Sequence, residues 1–147
     1  MIKGTCMNPY DQYFAMLDGL ISLSQRFREM SSLGGADPVM NAKLTGTVRC
    51  DIGTQRGKTS YIRRSAGAGC LVIVPTRDHG RFCYGRAPAF DVCTETEYLD
   101  GYGREVGRPY HTIFVEAPDM MPGLFKGDAL WRMGVRVGLV QTFVILG

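Results

Sequence analysis

Asp51-Ile52-Gly53-Thr54-Gln55-Arg56-Gly57-Lys58-Thr59-Ser60 is the stretch on which the fold turns. It follows a strand expected over residues 47–52 and opens a helix expected over 58–66, closed by Gly67-Ala68-Gly69. A glycine-rich turn between strand and helix can wrap phosphate with its backbone N–H groups, and the helix N-terminus adds its dipole and its unpaired donors. In that arrangement Lys58 reaches the β- and γ-phosphates and Thr59 offers its hydroxyl to Mg²⁺. Gly57 lets the backbone approach without a side chain in the way. Gly53, Thr54, Gln55, Arg56 and Ser60 complete the expected binding stretch.

Downstream, short β-rich runs alternate with helix-sized gaps. Cys70-Leu71-Val72-Ile73-Val74 is an unbroken apolar run, as a strand buried on both faces of a parallel sheet requires. Residues 90–94, Thr112-Ile113-Phe114-Val115 and residues 139–146 supply three more strands, and 96–102 a short helix. Such alternation predicts an α/β layered domain. Upstream, Asn8 caps and Pro9 opens a helix whose apolar face is Tyr13, Phe14, Leu17, Leu20, Ile21, Phe27 and Met30. Gly34 and Gly35 end it, and Asp37-Pro38 marks a turn. The face must dock on the domain's own sheet or on a partner subunit. The division expected is therefore 1–45, N-terminal amphipathic helix and linker, and 46–147, the α/β domain.

Composition narrows the classes. With 147 residues, 45% hydrophobic and 21% charged, the chain suits one globular domain and not whole-chain disorder. No apolar run approaches the roughly 18 residues that cross a bilayer, and the first residues lack the apolar core of a signal peptide. The expectation is a soluble, cytoplasmic protein with no membrane association. Cys6, Cys50, Cys70, Cys83 and Cys93 form no C-x-x-C pair and stand with only two histidines, His79 and His111. Zinc spacing is absent, so the thiols read as free and buried and both histidines as structural.

Charge is uneven. Residues 49–86 carry eight Lys/Arg against Asp51 and Asp78, whereas the rest of the chain is net negative. A basic side favours a polyanionic partner, a nucleotide phosphate or nucleic acid, over the alternative of plain solvated charge. Glu95, Glu97 and Asp100 read as a solvated helix face. Tyr98, Tyr102 and Tyr110 near Arg104 and Arg108 read as core edge, with an aromatic-and-basic nucleic-acid surface as the alternative. Met120-Met121-Pro122-Gly123 reads as a turn, and Trp131 as a helix anchor in the core.

From about residue 47 to the end, the sequence resembles the P-loop NTPases, in particular helicase-like and terminase-like viral members with an extra catalytic-glutamate strand. The phosphate loop matches G-x-x-x-x-G-K-[ST] with Ile52 at the first glycine's position. Leu71-Val72-Ile73-Val74-Pro75-Thr76-Arg77 looks like the second-strand motif of superfamily two helicases, which in that family lies beside the nucleic-acid backbone. This implies a nucleic-acid contact for Arg77; an ion pair with an acidic neighbour is the alternative. Thr112-Ile113-Phe114-Val115-Glu116-Ala117 looks like the Walker B strand, with Val115 where an Asp is usual and Glu116 at the Glu position. Thr142-Phe143-Val144-Ile145-Leu146-Gly147 resembles the sensor strand.

The resemblance implies a three-layer parallel sheet with flanking helices. It implies a small ATP-binding and ATP-hydrolysing protein coupled to DNA or RNA, with ATP and Mg²⁺ as cofactors. Lys58 and Glu116 would be catalytic, and Thr59 and Glu116 would hold the metal. Asp119 stands in for the missing Asp only if its loop folds back. The chain holds one such domain, which implies self-assembly as a homo-oligomer, or a protein partner, to complete the site. The alternative is a non-catalytic P-loop-fold module with a degenerate nucleotide site, acting through a protein partner. A small-molecule kinase fits less well, because no arginine-rich lid follows the fourth strand.

Overall fold

The sheet's three inner strands are buried on both faces, against one apolar layer above and one below. In a computed structural model, described at residues 8–31, 37–51, 55–102, 110–137 and 142–147, the strands are β1 (Thr47–Cys50), β2 (Cys70–Val74), β3 (Asp91–Thr94), β4 (Thr112–Glu116) and β5 (Thr142–Leu146). They lie in the order β1-β5-β4-β2-β3, every neighbouring pair parallel. The helices are α1 (Pro9–Ser31), α2 (Pro38–Thr45), α3 (Gln55–Ser65), α4 (Arg77–Tyr84), α5 (Glu95–Leu99) and α6 (Ala129–Val137). Three short 3₁₀ turns, Pro118–Met120, Pro122–Leu124 and Lys126–Asp128, join β4 to α6.

Side chains alternate across each strand. Leu71, Ile73, Ile113, Val115, Phe143 and Ile145 pack with Ala42, Tyr98, Leu130 and Trp131 of α2, α5 and α6. Cys70, Val72, Val74, Phe114, Val144 and Leu146 pack with Leu17, Tyr61, Ile62 and Cys83 of α1, α3 and α4. The result is an α/β domain of three layers, helix, sheet and helix, with apolar runs on both sides as an all-parallel sheet demands.

The expected α1 begins where Asn8 accepts the amide of Tyr10 at 2.8 Å. It docks on the domain itself: Leu17 is fully buried in the second layer, and Asp18 accepts from Tyr61 and Arg64 of α3, each at 2.7 Å. Leu20, Leu23, Phe27 and Met30 stay exposed and line an open groove with Leu44 of α2 and Val48 of β1.

The turn expected at Asp37-Pro38 is instead the start of α2. Asp37 accepts from the Val39 amide at 3.1 Å, and Pro38 occupies the first helical turn, where no donor is needed. Residues 38–45 are thus helix and not linker. Other boundaries shift by one to three residues: α3 starts at Gln55 rather than 58, α5 covers 95–99, and β3 and β5 start at 91 and 142.

Trp131 anchors α6 as expected and donates its indole N–H to Thr47 Oγ1 at 2.8 Å. The stretch read as a turn at 120–123 is a pair of 3₁₀ turns with Met121 fully buried. No helix among the described residues is long and apolar enough to cross a membrane.

Candidate functional site

Parallel strands put all their carboxyl ends on one edge, and ligands of α/β sheets bind at that edge. Here β4 ends in Glu116, β1 runs out at Cys50 toward the glycine-rich turn, and β2 ends ahead of α4. Glu116 follows the strand's alternation. It lies on the face of Phe114, toward α3 and α4, and is 4% exposed.

Four groups surround its carboxylate. Thr59 Oγ1 of α3 donates to Oε1 at 2.6 Å. The Tyr84 hydroxyl of α4 donates a short hydrogen bond to Oε2. His79 Nε2 lies 3.6 Å from Oε1, and Cys83 Sγ 3.9 Å from it.

Local sequence explains how α4 reaches the carboxylate. Thr76 caps the helix by accepting from the His79 amide at 3.1 Å. Gly80 then lets the helix lie close to the sheet, since a Cβ there would stand 3.2 Å from Val74 and Val92. His79 and Cys83, four residues apart, share one helical face and point at the end of β4. Beyond Glu116 the chain turns sharply at Ala117, which holds left-handed backbone angles (φ 58°, ψ 59°) before Pro118.

Thr59, His79, Cys83, Glu116 and Ala117 line one cavity of about 440 Å³ with Lys58, Ser60, Arg63, Phe82 and Met120. Lys58 is buried, yet no ion pair joins it to Glu116 among the described residues. Arg63 is fixed by donating to the Cys83 carbonyl at 2.6 Å. The electrostatics favour neutral donors around one carboxylate. Burial, then the Glu116 charge and hydrogen bond, push the Tyr84 phenol far above its usual range. Burial and the same charge push the Cys83 thiol up.

Of the residues expected to bind phosphate, Lys58, Thr59 and Ser60 therefore meet Glu116 at one cavity. Gly53 and Thr54, with Ile52, lie outside the described residues. Gln55, Arg56 and Gly57 form the first turn of α3, so the N–H groups that lack an intrahelical acceptor are theirs and not those of Thr59 and Ser60.

Asp119 does not fold back to Glu116. It lines a separate groove on the α2 and α6 side with Lys43, Arg49 and Trp131. Val115 faces that other layer, fully buried. A carboxylate at its position would point away from Thr59, and the residue that pairs with Thr59 is Glu116.

Arg77 opens α4 at the carboxyl edge, exposed, and pairs with Glu97 Oε2 at 2.7 Å. The expected solvated face of α5 is thus engaged. Glu97 also forms a reciprocal cap with Thr94, and Glu95 accepts the Gly123 amide at 3.1 Å. Tyr98 and Tyr110 are buried and donate to the Leu130 carbonyl and to Asp91, so they form no aromatic surface. Arg104 and Arg108 lie outside the described residues.

Cys50, Cys70, Cys83 and Cys93 are free and buried as expected, and Cys6 lies outside the described residues. In sequence, His79 reads as structural and Cys83 as a free buried thiol, and nothing singles out Tyr84; all three lie against Glu116. The i, i+4 pairing of His79 with Cys83 was the available signal. No protein family, curated protein or solved structure matches the chain.

Proposed function

We propose that the cavity binds Mg·ATP and that the chain is a small P-loop-type nucleotide-binding protein. The observation that carries this reading is the Thr59–Glu116 pair beside buried Lys58, at the carboxyl edge of the sheet. A hydroxyl, a carboxylate and an ammonium at the start of a helix are the donor set that a metal-bound triphosphate requires. Thr59 and Glu116 would hold the Mg²⁺, which supplies neutralisation of phosphate charge, and Lys58 would face the β- and γ-phosphates. The strand order supports the reading, since β5 separates β1 from the carboxylate strand β4, compatible with the extra-strand members that the sequence resembles.

Two readings of turnover follow. In the first the protein hydrolyses ATP in work coupled to nucleic acid, with Arg77, Arg81 and Arg86, which line one cavity, as the basic face. In the second it binds without turnover, as a non-catalytic module. One observation favours the second: Glu116 is the one carboxylate among the described residues lining the cavity, and Thr59 and Tyr84 already occupy it. A site that commits this carboxylate to the metal side has no other there to activate water.

The test is thermal unfolding with Mg·ATP. Ligand at about 100 times its dissociation constant should stabilise the wild type by roughly 2.7 kcal/mol. The effect should vanish in Lys58→Ala, and an equal effect in that variant overturns the proposal. Phosphate release that is lost in Glu116→Gln selects the first reading; binding with no release in the wild type selects the second.

A further inference from the structure

We propose that His79, Cys83 and Glu116 form a binding site for a borderline-soft divalent cation of the zinc class, with its fourth position open to the cavity. The ligand atoms of the three side chains all lie within 4.8 Å of one another. Two of the separations are close to what a metal needs: Nε2 of His79 is 3.6 Å, and Sγ of Cys83 3.9 Å, from Oε1 of Glu116. In a tetrahedral site with bonds of about 2.0–2.3 Å, neighbouring ligand atoms stand roughly 3.3–3.6 Å apart. Those two separations are therefore at most a few tenths of an ångström looser, and the third, between His79 and Cys83, lies within 4.8 Å and closes by side-chain rotation on the shared helical face.

Three further features point the same way. The His79 Nε2 is buried and has no hydrogen-bond partner among the described residues, so a lone pair or a proton there is otherwise unused. The two α4 ligands are held by a capped helix packed on the sheet, and the third by the end of a central strand, so little ordering remains for the cation to impose. The donor set of one nitrogen, one sulfur and one oxygen favours zinc over the all-oxygen preference of magnesium. Charge also balances: thiolate and carboxylate together neutralise a dication. As the metal–sulfur bond forms, the Cys83 thiol proton leaves to solvent. Three protein ligands and an open fourth position leave room for water or a ligand of the cavity.

This proposal does not rest on the nucleotide reading, and because both draw on Glu116 the two cations would compete for it. The closing experiment separates them because it contains no nucleotide. Metal-free full-length protein, kept reduced, is titrated with Co²⁺ as the zinc probe. One equivalent should give a thiolate-to-cobalt charge-transfer band in the near ultraviolet, with the intense visible bands of four-coordinate cobalt, and Zn²⁺ should displace both.

Cys83→Ser should lose the charge-transfer band, and Cys93→Ser should keep it. Losing an outer partner of a metal ligand already costs roughly 10–100-fold in affinity, so His79→Ala should weaken binding by at least about that much. Absence of the band in the wild type overturns the proposal, as does a band that survives in Cys83→Ser. Should Cys83→Ser fail to fold, the partly exposed His79→Ala decides alone: unchanged affinity there also overturns it.

Discussion

Thr59 Oγ1 donates to Glu116 Oε1 at 2.6 Å and so ties the first turns of α3 to the end of β4 across 57 residues of chain. Tyr84 completes the arrangement from α4 by donating to the other oxygen. A buried carboxylate survives only where donors replace its water. Removing one of them leaves an oxygen without a partner in a nearly dry site. Tyr84→Phe should therefore destabilise the fold by about 1–3 kcal/mol, the cost of an unsatisfied buried acceptor. Urea unfolding, with an unchanged slope, is the measurement.

Val115 fixes the register of the same strand. Its side chain belongs to the layer of Tyr98, Leu130 and Trp131, on the far side of the sheet from Thr59. Restoring the usual carboxylate by Val115→Asp therefore cannot supply a second acid to the cavity. It should instead bury an unpaired charge, costing several kcal/mol, about the 3–5 kcal/mol seen when a buried pair loses one member. Loss of the cooperative thermal transition, with no gain in phosphate release, is the expected outcome. A stable variant with faster release would contradict the geometry.

How far the sequence reveals this can be judged from a few residues. The buried run Cys70–Val74 and the Asn8-Pro9 helix start were legible because local chemistry alone decides them: apolar residues on both faces, a capping side chain, a proline with no donor to lose. Asp37-Pro38 carries the same start signal, yet it reads equally as a turn, and only docking of Ala42 into the core makes it helical. That Lys58, Thr59 and Glu116 come to one cavity was legible from motif order.

The roles at β4 were not read from alternation, although it places Glu116 with Phe114 and opposite Val115. His79 and Cys83 gave a helical i, i+4 signal, but their third neighbour is 33 residues beyond Cys83 and is supplied by the sheet order. Arg77 illustrates the remaining limit, because its ion pair with Glu97 joins the starts of α4 and α5, helices of opposite layers that meet only at the carboxyl edge of the sheet.

Asp18 supplies a pH prediction. Burial alone would raise its pKa, but hydrogen bonds from Tyr61 and Arg64, with the Arg64 charge, hold it below the usual carboxylate value. A carboxylate whose folded pKa is depressed stabilises above the unfolded value, about 3.9, and loses that contribution as pH falls through the folded value. The pair is half exposed, so the screened effect is small. Asp18→Asn should cost about 0.5–1 kcal/mol at pH 7, typical of exposed pairs. The difference from wild type should shrink below roughly pH 4 and vanish in stronger acid. Thermal unfolding of both proteins over that range tests it, and a gap that widens in acid would refute the assignment.

Thr142 offers the opposite kind of test, a substitution expected to help. It opens β5 in the centre of the sheet, fully buried, and its Oγ1 finds no hydrogen-bond partner among the described residues. Its backbone is satisfied separately, donating to the His111 carbonyl at 3.2 Å. A buried hydroxyl without a partner carries its full desolvation cost, about 1–3 kcal/mol. Valine has nearly the same shape, keeps the branched side chain that strands favour, and removes the polar atom. Thr142→Val should therefore raise stability, by up to about 1 kcal/mol once the loss of some hydration in the unfolded chain is counted. Parallel urea titrations of the two proteins decide the sign. A destabilised valine variant would mean that the hydroxyl is hydrogen-bonded in solution, and the strand would then owe its start to that bond rather than to packing.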